Sequence, residues 1–378
     1  MKLLCVFIAF VLAFFIGQSI VLKLYKFSYR RRLFDPVDER KIHEGHIPRL
    51  GGMAFLPTQC CIFILVIVVL RHFEIIYVDY QLLSQFLLLI LGLGLLFITG
   101  LIDDLVGIYY KWKFAAQFVA ALLLPISGLW INNLDGLLGI TVIPDWIGIM
   151  LTVLVVVFII NAFNLIDGLD GLCSGLTILA CTVLGTLFFR HESWLPVIFS
   201  FITVGALTPF FYYNVYGKTK RKRRIFMGDT GSMTLGLTLA FLVIRYTAGD
   251  SSDSNPGGNL LIAFTVVLVP LLDVIRVICI RILKRKPLFL PDNHHIHHYL
   301  VALGISRRKA LFSILLMALG FVVFNMCFVR FVYNNHTLVL LLDAVLWFGG
   351  VWLLGKIRHA RLQKKKQESN AATVRNEN

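Results

Sequence analysis

Apolar runs close to twenty residues long recur from one end of this chain to the other, and they leave very few folds open. Such a run is the length that crosses a bilayer core. Inside lipid every backbone N–H and C=O must be satisfied internally, so each crossing is a helix unless the chain closes into a barrel. Eleven runs are read, at 3–22, 51–70, 82–101, 113–131, 146–164, 171–189, 195–213, 232–248, 259–283, 310–330 and 336–355. The expected fold is all-α: a polytopic integral membrane protein with about eleven transmembrane helices. The count falls to ten if 113–131, broken by Pro125, or 171–189, which follows a polar motif, does not cross. Hydrophobic residues make up 58% of the chain and charged ones 15%, with a mean hydropathy of +0.81, far from a soluble composition. A single transmembrane domain over 1–356 and a polar, disordered cytoplasmic tail over 357–378 are expected.

Lys and Arg concentrate on cytoplasmic loops. Alternate connections here are strongly basic: 23–50, 102–112, 214–231, 281–309 and the tail from Lys356. Of the 36 Lys and Arg, only Lys2, Arg71, Arg190, Arg245 and Arg330 fall on the other side, and Arg276 lies within a span. The N-terminus is thus expected outside and the C-terminus in the cytoplasm. The first run reads as an anchor and not a signal peptide, because its basic residues follow the apolar core. The net charge of +15 points to anionic lipid and phosphate ligands, not nucleic acid, since few aromatics interleave the basic runs. The seven cysteines form no C-x-x-C pair and read as packing residues.

On that topology the polar groups gather on the inner face. Asn161, Asn164, Asp167 and Asp170 repeat at three-residue spacing along one helical face, with Gly168 and Gly171 permitting close approach. Asp103 and Asp104 end the third span, Gly228, Asp229, Gly231 and Ser232 open the eighth, and His294, His295, His297 and His298 follow the ninth. His43, His46 and Arg49 precede the second; a solvated loop explains these equally well.

Carboxylates and an amide oxygen without thiolates suit a hard cation, Mg²⁺ or Mn²⁺, bridging to substrate phosphates. Gly228–Ser232 fits an anion-facing helix start, or a plain cap. Two adjacent carboxylates near lipid exceed what capping needs, so one of Asp103 and Asp104 reads as a base on an acceptor phosphate. The histidines, close to Lys284–Lys286, read as diphosphate donors, with a transition-metal site or a structural turn as alternatives. Lys111 and Lys113 could neutralise phosphate or anchor a helix at the interface. Asp273 and Arg276, one turn apart within a span, form an ion pair or support the site.

Taken in order, Asp103–Asp104, the ladder from Asn161 to Gly171, Gly228–Ser232, and Asp273 leading to the histidines resemble the bacterial polyprenyl-phosphate N-acetylhexosamine-1-phosphate transferases over nearly the whole chain. The histidine run interrupted by Ile296 looks like the undecaprenyl-phosphate GlcNAc-1-phosphate branch, unlike the uninterrupted triplet of the related phospho-MurNAc-pentapeptide transferases. The resemblance implies transfer of a HexNAc-1-phosphate, GlcNAc-1-phosphate foremost, from a UDP-HexNAc to undecaprenyl phosphate, releasing UMP. This is the first membrane step of a surface polysaccharide such as O-antigen or teichoic acid.

The same resemblance implies Asp229 and Asn164 as Mg²⁺ ligands and Asp103 or Asp104 acting on the lipid phosphate. Asp167 would support metal or nucleotide, and Asp170 would contact uridine. His295, His297, His298 and Lys113 would face the diphosphate. It implies the bacterial inner membrane, a cytoplasmic-face site, surrounding lipids as partners and no nucleic acid; a homodimer is compatible with it. A transporter of nucleotide sugars or metal ions is the competing reading, disfavoured by the absence of a midplane site or repeats. A catalytically dead relative is disfavoured by the intact acidic positions.

Overall fold

A computed structural model describes residues 1–31, 33, 48–75, 79–217, 224–248, 259–285, 295–331 and 335–376. His43, His46, Lys286 and His294 lie outside the described residues. The elements are α1 (Lys2–Arg30), a 3-10 turn (Leu50–Ala54) running into α2 (Phe55–His72), α3 (Tyr80–Val106), α4 (Tyr110–Ile126), β1 (Asn133–Leu137), β2 (Ile140–Val142) and α5 (Asp145–Ile166). They continue with α6 (Leu172–Arg190), α7 (Trp194–Tyr216), α8 (Gly228–Ala248), α9 (Asn259–Thr265), α10 (Leu268–Leu283), α11 (Ile296–Ala302), α12 (Arg307–Phe331) and α13 (His336–Asn376).

Each of the eleven apolar runs is helical. Among the described residues nine helices are long and apolar enough to cross a membrane. The other two runs are shortened by proline, which removes an N–H and clashes with the carbonyl four residues back. Pro125 sits in the last turn of α4, which ends at Ile126 and not near 131. Pro270 falls in the first turn of α10, and the expected single span at 259–283 breaks just before it, between Thr265 of α9 and Leu268 of α10.

The centre of the bundle is α8, on which every residue from Thr230 to Ile244 is buried. It packs against α3, α5, α6 and α9. Lipid tails are as apolar as leucine, so membrane helices associate through close packing, and small residues set how near they come. A methyl on Gly100 would lie 2.5 Å from the Thr230 Cα, and one on Gly236 2.7 Å from the Ile160 Cα. The rings of Phe63, Phe86, Phe199 and Phe241, 4.7 to 5.4 Å apart between neighbours, tie α2, α3, α7 and α8 together. Leu3, Phe7 and Phe15 of α1 and Leu87, Leu91 and Ile98 of α3 face outward, as a lipid-exposed surface requires.

Three features differ from the sequence expectation. The outer connection at 132–145, which carries no apolar run, is an antiparallel hairpin, whose Asp135 Oδ2 accepts the Leu260 N–H at 2.9 Å and whose Leu138 N–H donates to Thr337 Oγ1 at 2.7 Å. Asp273 and Arg276 are not alone at depth, since Asn325 of α12 donates to Thr265 Oγ1 at 2.9 Å and to Asp343 Oδ2 at 2.8 Å. Finally, α13 continues as helix past 356 to Asn376, where the residues are rich in the helix formers Lys, Arg, Gln, Glu and Ala.

Candidate active site

At the end of the bundle where α3 and α5 finish and α8 begins, a cleft of about 200 Å³ opens between Arg49, Asp104, Asn164, Asp167, Gly168, Asp170, Phe226 and Asp229. Its position follows from three helix termini. α5 stops at Ile166 with Asp167 as its C-cap, and the chain turns through Gly171 (φ +79°) before α6 starts at Leu172. Asn214 of α7 staples that turn to the segment entering α8: its Oδ1 accepts the Gly171 N–H at 2.5 Å and its Nδ2 donates to the Ile225 carbonyl at 2.8 Å. On the other side, Gly51 and Gly52 donate to the carbonyls of Phe226 and Met227 at 2.9 and 2.8 Å.

The two aspartates of α3 divide their work. Asp104 accepts the N–H groups of Asp229 at 2.8 Å and Thr230 at 3.0 Å, and the Thr230 hydroxyl at 2.6 Å. It therefore caps α8 from another helix, where the macrodipole favours a negative charge. Gly228 (φ +76°) leaves room for it, because a Cβ there would meet the Asp104 Oδ2 at 2.5 Å. Asp103 accepts the Ile108 N–H at 2.9 Å and is bridged at 2.9 Å by the Lys113 ammonium, which also pairs closely with Asp229.

In the ladder, Asn161 donates to Gln117 Oε1 at 2.6 Å and to its own helix at Val157, joining α5 to α4; it stays out of the cleft. Asn164 donates to Ser232 Oγ at 2.9 Å, and its amide oxygen accepts nothing among the described residues. Asp170 is paired closely with Arg224, whose guanidinium lies 5.7 Å from the Phe226 ring. Asp167 accepts no hydrogen bond among the described residues. Burial, reinforced by the charges of Asp229, Asp170 and Asp104, pushes its carboxyl well above the usual range.

Of the histidines at the start of α11, His297 comes against Gly168 at the edge of the cleft, while His295 and His298 are not among the residues that line it. His295 Nδ1 bonds to Asp273 Oδ2 at 2.8 Å, Ile296 N–H donates to Asp273 Oδ1 at 3.1 Å, and Arg276 completes that carboxylate at 2.8 Å. Asp273 and Arg276 thus form the expected ion pair, and the carboxylate orients the histidine helix as well. The His297 ring stacks on His295 at 5.8 Å and lies 4.1 Å from His298, against Gly168, where a Cβ would meet its Nε2 at 2.7 Å. Among the described residues neither His297 ring nitrogen has a hydrogen-bond partner, though both are buried. Burial, with His298 and His295 adding to it, pulls its pKa down to about 3, so at neutral pH it is an uncharged imidazole. Lys111 leans over the Tyr109 ring at 5.9 Å, in keeping with an interfacial anchor.

Among the described residues carboxylates outnumber cations around the cleft: Asp104 is offset by a helix terminus, Asp170 by Arg224, Asp103 and Asp229 share Lys113, Arg49 lines the cleft as well, and Asp167 has no ion-pair partner. Among the described residues no three acidic, imidazole or thiol groups converge to hold a metal. Mg²⁺ needs only one or two carboxylates when phosphate and water complete its shell. Asp167, Asp229 and the Asn164 oxygen suit that mode, and the Lys113 ammonium already stands between carboxylates as a cation.

Sequence reasoning missed Arg224 and Asn214. The first closes the basic run 220–224 four residues before Gly228 and was read only for topology; the second is a lone amide in an apolar helix, a signal in itself.

Residues 86–247, from within α3 to the end of α8, match the family described as Glycosyl transferase family 4. An undecaprenyl-phosphate alpha-N-acetylglucosaminyl 1-phosphate transferase of Yersinia pestis is 28% identical over 320 residues, 84% of this chain and 83% of its own. The protein of that name from Escherichia coli K12 is 29% identical over 288 residues, 76% of this chain and 74% of its own. A probable undecaprenyl-phosphate N-acetylglucosaminyl 1-phosphate transferase of Bacillus subtilis is 30% identical over 289 residues, again 76% and 74%. The chain belongs to this transferase family. It is a multi-pass membrane enzyme of the polyprenyl-phosphate sugar-phosphate transferase class. The matched segment contains both aspartates of α3, Lys113, the ladder and Asp229, while α10 and the histidines of α11 lie beyond it.

Proposed function

We propose that the protein transfers a HexNAc-1-phosphate, with GlcNAc as the foremost sugar, from a UDP-HexNAc to undecaprenyl phosphate. An oxygen of the lipid phosphate attacks the β-phosphorus of the nucleotide sugar, the bond from that phosphorus to the bridging oxygen breaks, and UMP leaves with the electron pair. The observation that carries this reading is a cleft with unbalanced carboxylates at the end of an apolar bundle. Such a cleft meets a lipid phosphate from the bilayer and a nucleotide from water. We place it on the cytoplasmic face of the bacterial inner membrane, where the basic connections gather.

Asp229, Asp167 and the Asn164 oxygen would hold Mg²⁺, which supplies charge neutralisation at the diphosphate. The protein's own groups do the positioning. A phosphate monoester is largely dianionic at neutral pH, so the acceptor asks little of a base. Asp103 then acts through Lys113, aiming the ammonium at the phosphates, and Asp104 sets Asp229 by holding its backbone. His297, uncharged, offers one N–H to the diphosphate and no net charge. Arg224 and Asp170 meet the nucleotide.

Purified protein should release UMP from UDP-GlcNAc only when undecaprenyl phosphate and Mg²⁺ are both present, with Mn²⁺ as substitute. No release across a panel of UDP-sugars would overturn the reading, and a faster substrate in that panel would reassign the donor. Asp229→Ala should abolish turnover while leaving the thermal transition in place.

A further inference from the structure

The helix that carries the histidines is very short, and at the end of the candidate span His336–Arg361 of α13, past the apolar run 336–355, it is gripped from outside the cleft. Two guanidinium groups approach the Tyr299 ring of α11, Arg276 of α10 at 5.1 Å and Arg358 of α13 at 5.0 Å. The two cations do not compete for one acid, since Arg276 is held by Asp273 at 2.8 Å and Arg358 approaches the ring instead. Arg361, one turn further, donates to the Leu303 carbonyl at 2.6 Å, the C-cap of α11.

A seven-residue helix does not hold its own conformation in water. α11 is fixed at its start by Asp273, which takes His295 and the Ile296 N–H, and at its end by Arg358 and Arg361. Between these ends lie His297 and His298, with His297 against Gly168 of the cleft. Losing Arg358 and Arg361 removes the hold of α13 on the C-terminal end of α11, while Arg276 still lies 5.1 Å from the Tyr299 ring.

We propose that Arg358 and Arg361 are positioning residues for the reaction: the end of α13, past the apolar run, is a latch that sets the histidines of α11 against the donor side of the cleft. This rests on the transferase reading above. It makes residues 357–361 part of the catalytic unit and not of a separable tail.

The test uses the full chain with Arg358→Ala, Arg361→Ala, the double variant, and Tyr299→Phe beside Tyr299→Leu. Tyr299→Phe keeps the ring face and should keep wild-type kinetics; Tyr299→Leu and the double variant should lose about tenfold or more in kcat/KM for the UDP-sugar. The KM for undecaprenyl phosphate should stay within about twofold. Wild-type kinetics in the double variant, or an equal rise in the lipid KM, would overturn the proposal. Diethyl pyrocarbonate modification of His297, read by peptide mass spectrometry, gives a second readout that needs no turnover. The buried ring should be protected in the wild type and in Tyr299→Phe, and modified several-fold faster in the double variant. Unchanged protection there refutes the latch. Faster modification in a protein that proves to have no transferase activity would leave the latch standing and remove the reading on which its role rests.

Discussion

Asp104 and Asp229 are 125 positions apart and joined by one hydrogen bond, from the Asp229 backbone N–H to the Asp104 Oδ1 at 2.8 Å. A carboxylate at the end of one membrane helix thereby fixes the start of another, and with it the side chain that the metal reading needs.

Asp104→Ala should leave two α8 donors and the Thr230 hydroxyl without their acceptor. Thermal unfolding in detergent should report a loss of about 1–2 kcal/mol, the usual cost of a missing cap. Turnover should fall about 100-fold through displacement of Asp229. Asp104→Asn keeps one acceptor and should fall between the two. An unchanged melting temperature in Asp104→Ala would mean that the cap carries no weight.

Asp167→Asn should raise stability while removing metal-dependent activity, because burial and three like charges penalise the ionised carboxylate. The pH dependence follows from the sign of the shift. Asp167 has a raised pKa when folded, so on acidification the folded state takes up its proton before the unfolded chain does. The wild type therefore gains stability as pH falls toward the ordinary carboxylate range. With EDTA present, the melting advantage of Asp167→Asn should be larger at neutral pH and shrink as pH falls toward the ordinary carboxylate range; an advantage that grows on acidification would reverse the argument.

Arg224→Ala should raise the KM for the nucleotide sugar about tenfold, roughly 1.4 kcal/mol, with the lipid KM unaffected. The guanidinium is the one cation paired with Asp170 among the described residues, and without it the acidic cleft repels a diphosphate more strongly. Steady-state kinetics with either substrate varied decide this.

Gly168→Ala places a methyl 2.7 Å from the His297 Nε2. The ring is enclosed, so it has to turn away, and the variant should lose at least about tenfold in kcat with a near-normal thermal transition. Gly94→Ala, where a methyl meets nothing within 4 Å, is the matched control and should behave as wild type.

The apolar runs made the helices legible, since in lipid no other element satisfies the backbone locally. The acidic positions were legible because carboxylates in such surroundings need a reason. What periodicity does not carry is which partner each polar group takes. Asp103 and Asp104 look alike in sequence, yet one meets Lys113 and the other two backbone N–H groups, because only their rotational positions on α3 differ. Arg224 and Asp170 are 54 positions apart, and the pairing exists because Asn214 pulls both loops together. The early end of α4 and the break before α10 follow from Pro125 and Pro270, visible in the sequence but read inside continuous runs.

Enclosure of α8 along its length bears on how the enzyme meets its acceptor. A helix gripped at Gly100 and Gly236 with no slack cannot slide along the bilayer normal. Asp229 at its first turn is therefore held at a constant level, and the lipid phosphate must rise or sink to it. Acceptors should then be sorted by how far the phosphate stands from the first isoprene, more than by how many isoprenes follow.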